Sequence, residues 1–463
     1  MNLSASVAVA PASFMQRTNR TAKVHQHFIL IVVVFLTLRL LLPVGFNSSA
    51  PDFNHYQRWG SLADSGLYPY VHYWSEYPPL FSWSVLVLYR LSTLVPSAPE
   101  DPQFWFGLVL RTTMALFDLG SLILVYATAL RLGGRARAVR TAALFAAGFI
   151  TAYAAMGWYD AIPLFFLLLA FYLALRDRMT ASALAAAVGA MIKITPILMV
   201  LVGLRRMTGA RRQLSYLLTV VIAALALLLP LLIVGAPYVL AFVRGTLNRP
   251  SWTSIWAVLE GGNPFGLVPV VIERFSPENL GAPLESSLPW PIIHAAFAGL
   301  YLFIYTRRID WRDPIKAVAL AGMTVNLFLL WSKGFSGQFI DYAFPFIILL
   351  MPNLRGAQYA GLLSVLWIAE WPVPFILFPP EDSSALRLNW FMAWMIITRT
   401  AILIALCLEY ARFLFPHLTT RLSRVAVGIA IAGWITVVPA SAVLIDWYSQ
   451  TYLAADPSAP AVT

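Results

Sequence analysis

Apolar runs long enough to cross a lipid bilayer recur along almost the whole chain, from Phe28 to Ile445, and polar or proline-bearing breaks separate them. A hydrocarbon core about 30 Å thick needs roughly 18 or more apolar residues in helical form. Only helices and closed barrels cross lipid, because both satisfy their backbone hydrogen bonds internally. The period-two alternation of a barrel strand is absent from this sequence. The expected fold is therefore all-α, that of a polytopic membrane protein. Composition agrees: 60% of the 463 residues are hydrophobic and 11% charged, against roughly 25% charged in a soluble protein.

The formal net charge of +11 would suit nucleic acid if it formed a patch, but it does not. Basic residues sit in short clusters between apolar runs: "RTNRTAK", "RLGGRARAVR", "RDR", "RRMTGARR", "RRIDWRDPIK" and "RLSR". Such clusters mark loops retained in the cytoplasm, where they also meet anionic headgroups. No nucleic acid partner is expected; membrane lipids are. Placing every cluster inside gives about thirteen transmembrane helices, with the N-terminus cytoplasmic and the C-terminus outside. Residues 1–27 read as a cytoplasmic tail whose Arg17, Arg20 and Lys23 flank an uncleaved anchor, and 28–236 as a membrane module whose first outer loop spans 46–105. A long outer loop follows at 237–289, then C-terminal membrane helices at 290–446 and an outer tail at 447–463. Short helices at the outer interface are expected in the loops, Phe81 to Val95 among them. Lys193 and Pro196 in "KITP" break one apolar run into a tight hairpin, with Lys193 near its outer tip. The expected location is the plasma membrane.

In this topology Asp52, Glu76, Asp160, Lys193, Arg249, Lys333 and Gln338 all fall at or just beyond outer helix ends. A permease would place its ionisable residues nearer the midplane. An outer cavity bordering lipid suits chemistry on a lipid-linked substrate. The sequence has no P-loop, dinucleotide fingerprint, H-E-x-x-H or D-x-D pair, which argues against ATP-driven pumps, zinc hydrolases and metal-dependent nucleotide-sugar transferases. The lone cysteine, Cys407, allows neither an internal disulfide nor a cysteine-based metal site. No cofactor and no metal are expected.

Several stretches resemble a known family. "DFNHYQRW" just after the first helix, followed by "GLYPY" and "EYPPL", is similar to the first outer loop of GT-C glycosyltransferases, in particular the mannosyltransferase-like members of glycosyltransferase family 87. The resemblance continues through "RTTMALFDLG", "GWYDAIPLFF", "KITP" and "RPSWTSIWAVLEGGNPFG". "SKGFSGQFIDYAFP" is similar to a family element S-x-x-x-S-P-Q-Y, with "SGQ" here in place of "SPQ". The resemblance implies an inverting transferase that moves a sugar, such as the hexose mannose, from a polyprenyl-phosphate donor. The acceptor would be a glycan, glycolipid or protein at the extracytoplasmic face. It also implies that Asp52 is the catalytic base.

Chemistry gives each residue a part. An inverting transfer needs one carboxylate to take the acceptor's proton, since a phosphate leaving group needs no second acid. Asp52 after Pro51 also suits a helix N-cap. His55, one turn on, is a second possible base or a phosphate contact. Glu76, fixed by Tyr77-Pro78-Pro79, either reaches sugar hydroxyls or ties the turn to Arg58 or Arg90. Lys193, Arg249 and Lys333 are the cations available to the leaving phosphate, unless the lysines merely snorkel. Tyr56 is a sugar-stacking ring or, with Trp59, Tyr68, Tyr70, Tyr73, Trp74 and Trp83, part of an interfacial belt. Asp118 reads as the structural partner of Arg111 or of a polar group on another helix. Two rival classes remain: a transporter or flippase of lipid-linked saccharides, and a lipid-linked saccharide ligase or polymerase.

Overall fold

Helix signals are strong in this chain, and a computed structural model shows how they are used. It describes residues 25–40, 51–96, 101–148, 159–262, 271–280, 286–370 and 390–448. The two expected tails therefore lie largely outside the described residues. Among those described, the structure is helical throughout, with only isolated bridges of extended backbone.

In the first half, α1 (His25–Leu40), α2 (Pro51–Asp64), α3 (Pro79–Thr93) and α4 (Pro102–Ala147) precede α5 (Ala161–Leu175), α6 (Met179–Ala190) and α7 (Leu198–Arg206). Then come α8 (Ala210–Asn248), α9 (Ile255–Glu260), α10 (Trp290–Tyr305), α11 (Pro314–Trp331) and α12 (Ile340–Leu350). Last are α13 (Leu354–Glu370), α14 (Trp390–Leu414) and α15 (Thr419–Tyr448). Five of these helices are long and apolar enough to cross a membrane, and the chain is a multi-pass membrane protein.

Starts and stops follow local chemistry. Asp101 accepts a hydrogen bond from the Phe104 amide at 2.9 Å and Asp313 one from Ile315 at 2.9 Å, each with proline at the first helical position. The "RLGG" turn breaks α4 at Gly133 and Gly134, the latter at φ +76°. "KITP" separates α6 from α7, as its lysine and proline predict. The expected outer loop after residue 236 begins differently. Helix α8 bends at Gly235 but runs on to Asn248. The bend lets the Tyr70 carbonyl approach so closely that a Cβ on Gly235 would lie 1.9 Å from it.

Helix α12 is the centre: every residue from Ile340 to Leu350 is buried, against α4, α11 and α13. Helices α8 and α10 instead leave large apolar side chains exposed, Ile222, Ile233, Ile292 and Phe303 among them. Exposed apolar surface of that extent suits lipid. A second, smaller cluster packs α2, α3 and the start of α4 around Phe53, Tyr56, Trp59, Phe81 and Phe106. That cluster and the N-terminal end of α12 frame the candidate site.

Candidate functional site

Helix α2 carries Asp52, His55, Tyr56 and Trp59 at positions i, i+3, i+4 and i+7, spacings that share a helix face. The Asp52 backbone lies in the first turn, and its side chain falls outside the described residues. His55 Nε2 is 3.2 Å from one carboxylate oxygen of Glu76. The other oxygen is ion-paired with Arg274. The turn is thus tied to neither Arg58 nor Arg90; Arg90 pairs with Asp64 at 2.5 Å. Arg274 lies 198 residues from Glu76 and was not singled out in the sequence.

Arg274 also closes the 271–280 segment over the first loop. Its carbonyl accepts from the Trp74 amide at 3.1 Å, and the Trp74 indole donates to the Asn279 carbonyl at 3.1 Å. Burial pushes the Arg274 guanidinium down to about 10, with Tyr70 and Tyr73 opposing the shift. It stays charged at neutral pH. Burial also holds the Tyr70 and Tyr73 hydroxyls protonated.

Most of the loop aromatics are buried, while Tyr68 and Trp83 are half-buried and stack on each other. Tyr56 is 2% exposed, its ring packed on Trp59, Phe81 and Tyr159. Trp59, Tyr70, Tyr73 and Trp74 are buried as well. The loop folds on itself, and its rings form the interior of a cap.

The cap joins the helices through the hairpin: the Leu80 amide donates to the Met191 carbonyl at 2.9 Å. Two residues on, Lys193 Nζ is 2.6 Å from the Asp160 carboxylate. Tyr342 of α12 donates to the same oxygen. The Phe339 ring lies 4.4 Å below the ammonium. Lys193 therefore has its counter-charge inside the protein. Asp118, likewise, pairs with Arg39 of α1 at 3.1 Å, a group on another helix.

Two stretches noticed separately in the sequence are joined here. The Trp252 amide donates to the Lys333 carbonyl at 3.2 Å, and the Phe335 amide to the Trp252 carbonyl at 3.0 Å. Thr253 and Ser254 hydroxyls donate to Phe335 and Lys333 carbonyls. These bonds make a ledge, and Arg249 and Lys333 both sit on it. Arg249 stacks 3.8 Å over the Trp252 ring. Lys333 Nζ donates to the Leu247 carbonyl at 3.3 Å and lies 5.0 Å from the Trp290 ring. Among the described residues no carboxylate pairs with Lys333.

Gln338 follows in a single 3-10 turn, Gly337–Phe339. "SGQ" has a local reason: a Cβ on Gly337 would come within 1.8 Å of the Trp367 indole. From the ledge, Phe335 contacts Phe339 at 5.9 Å, and so the lysine hairpin. Among the described side chains, His55, Tyr56, Glu76, Lys193, Arg249 and Lys333 thus lie along one continuous set of contacts, from α2 through the hairpin to the ledge.

A family model, glycosyltransferase family 87, matches residues 74–332, more than half of the chain. The chain belongs to glycosyltransferase family 87. The matched span holds Glu76, Asp160, Lys193, Arg249 and Arg274, begins after Asp52 and His55, and stops one residue before Lys333. Among solved structures, this family-87 chain is similar to ArnT from Cupriavidus metallidurans bound to undecaprenyl phosphate. The TM-score is 0.49 at 17% identity, over 91% of this chain and 77% of that one. The apo form of the same protein gives 0.48 at 17% identity, over 90% and 76%. A comparison with curated proteins gives no match.

Proposed function

We propose that this glycosyltransferase moves a sugar, a hexose such as mannose, from a polyprenyl-phosphate donor to a lipid-linked, glycan or protein acceptor. The reaction inverts the anomeric centre and takes place at the extracytoplasmic face of the plasma membrane. The observation that carries this reading is a cationic ledge at the rim of an apolar cleft. The cleft, about 460 Å³, lies among α9, α10, α11 and α14 and is lined by apolar side chains except Thr400. Trp256 lines it, its ring is 5.5 Å from Trp290, and Trp290 in turn is 5.0 Å from the Lys333 ammonium. Its lining runs from Met323 to Leu330 on α11 and from Thr400 to Ala411 on α14. At 1.5 Å per residue these spans are about 10 and 16 Å long, close to one leaflet of a hydrocarbon core about 30 Å thick. A prenyl chain fits such a cleft, with its phosphate left at the ledge.

The acceptor hydroxyl attacks the anomeric carbon while the bond from that carbon to the phosphate oxygen breaks. Its proton passes to Asp52. Negative charge grows on the departing polyprenyl phosphate, where Lys333 and Arg249 lower its energy; Arg249 can grip two phosphate oxygens and Lys333 acts as a point charge. Glu76 and His55 hold the Asp52 helix against the 271–280 segment. Lys193, already matched by Asp160, serves the fold rather than the phosphate, and Tyr56 serves the cap. Gln338 is assigned to the sugar held between the two.

The test is sugar transfer from a panel of radiolabelled polyprenyl-phosphate sugars, with purified protein in lipid and EDTA present. Transfer by wild type that is lost in a well-folded Asp52→Asn variant supports the assignment. Equal transfer by both removes Asp52 as the base, and uptake or scrambling of the lipids in place of transfer favours a transporter.

A further inference from the structure

Arg399 lies within α14, a membrane-spanning helix, with its side chain 2% exposed. It is ion-paired with Glu370 at the end of α13, itself buried. A second guanidinium nitrogen donates to the Thr253 carbonyl, and the guanidinium plane lies 3.6 Å over the Phe335 ring. Thr253 and Phe335 come from the two halves of the ledge. One side chain therefore touches both strands that carry Arg249 and Lys333.

Cohesion alone does not account for this arrangement. A charged pair placed among membrane helices is costly, and apolar side chains of similar volume hold helices together as well or better. They cannot do one thing: hydrogen-bond a chosen carbonyl. That carbonyl belongs to Thr253, whose φ of +42° is rare for a β-branched residue and persists only where surroundings impose it. Planar and multiply donating, a guanidinium can serve Glu370 and Thr253 together while stacking on Phe335.

We infer that Arg399, held by Glu370, is a positioning residue that sets the height and orientation of the ledge, and so of the cations that receive the lipid phosphate. The ledge's binding role rests on the function proposed above; the anchoring does not. It gives the C-terminal helices, which lie beyond the family match, a part in substrate binding.

The test compares wild type, Glu370→Leu/Arg399→Leu and Arg399→Lys in nanodiscs. The double variant removes both charges together, leaving neither stranded. Hydrogen exchange is followed at the Trp252 and Phe335 amides, which carry the ledge bonds, and binding is measured with unglycosylated polyprenyl phosphate. Both variants should melt within a few degrees of wild type. Exchange at the two amides should rise about tenfold, and the dissociation constant about ten- to hundredfold. Arg399→Lys is the sharper arm: it keeps the charge opposite Glu370 but loses the fork, so a role in charge balance alone predicts wild-type behaviour.

Unchanged exchange in both variants overturns the inference. Faster exchange with unchanged binding overturns the ledge's part in binding. If the double variant fails to fold, Arg399→Lys decides by the same two readings. Absence of binding by wild type itself defeats the donor reading, while the exchange arm still decides whether Arg399 anchors the ledge.

Discussion

Lys193 and Lys333 look alike in the sequence: each ends an apolar run and each was expected at an outer helix end. Their surroundings differ in the one respect that matters for phosphate. Lys193 is 2.6 Å from a carboxylate 4% exposed and rests on the Phe339 ring. Among the described residues Lys333 meets the Leu247 carbonyl and the Trp290 ring, beside an apolar cleft. A lysine with an internal counter-charge has little left to offer an anion; one met by a carbonyl and a ring has no carboxylate partner among the described residues. Position at a helix end is thus no guide to a lysine's surroundings, and the partner is.

The largest effect that would break this comparison is on stability. Lys193→Met strands Asp160 without its counter-charge, and loss of a buried partner costs about 3–5 kcal/mol. Thermal unfolding in nanodiscs should show that loss, and Lys193→Met/Asp160→Asn should recover most of it. A Lys193→Met protein that melts normally yet transfers no sugar would exchange the roles of the two lysines. Next in size is Arg249→Met, which removes a charge-assisted phosphate contact and should lower kcat/KM per folded molecule about tenfold. Smallest is Phe339→Leu, which removes a ring beneath a partly desolvated ammonium, worth about 0.5–2 kcal/mol; stability should fall by that much and transfer per folded molecule should not.

The same contrast shows what could be read from the sequence. Helices α11 and α14, Pro314–Trp331 and Trp390–Leu414, fall within the region 290–446 expected to hold membrane helices, because long and largely apolar runs leave little choice. Helix α8 outran its apolar stretch because the break at Gly235-Ala-Pro reads as a loop, whereas the structure needs only a bend there to admit the Tyr70 carbonyl. The first-loop aromatics were visible as a cluster, but burial, which decides their part, depends on contacts with Tyr159 and Phe106 far along the chain. Partnerships were the least legible. Arg274 reaches Glu76 across 198 residues and Arg399 reaches Thr253 across 146, and no local pattern marks either. The signal available was weaker: an arginine inside an apolar run, as at Arg399, must find a partner.

The most direct test of the account is binding of polyprenyl phosphate to three proteins: wild type, Lys333→Met and Lys193→Met/Asp160→Asn. The account predicts that Lys333→Met binds at least about tenfold more weakly, with a shallower dependence on salt, while the double variant binds as wild type does. Equal binding by Lys333→Met and wild type, with binding lost in the double variant, would contradict it and move the phosphate to the hairpin.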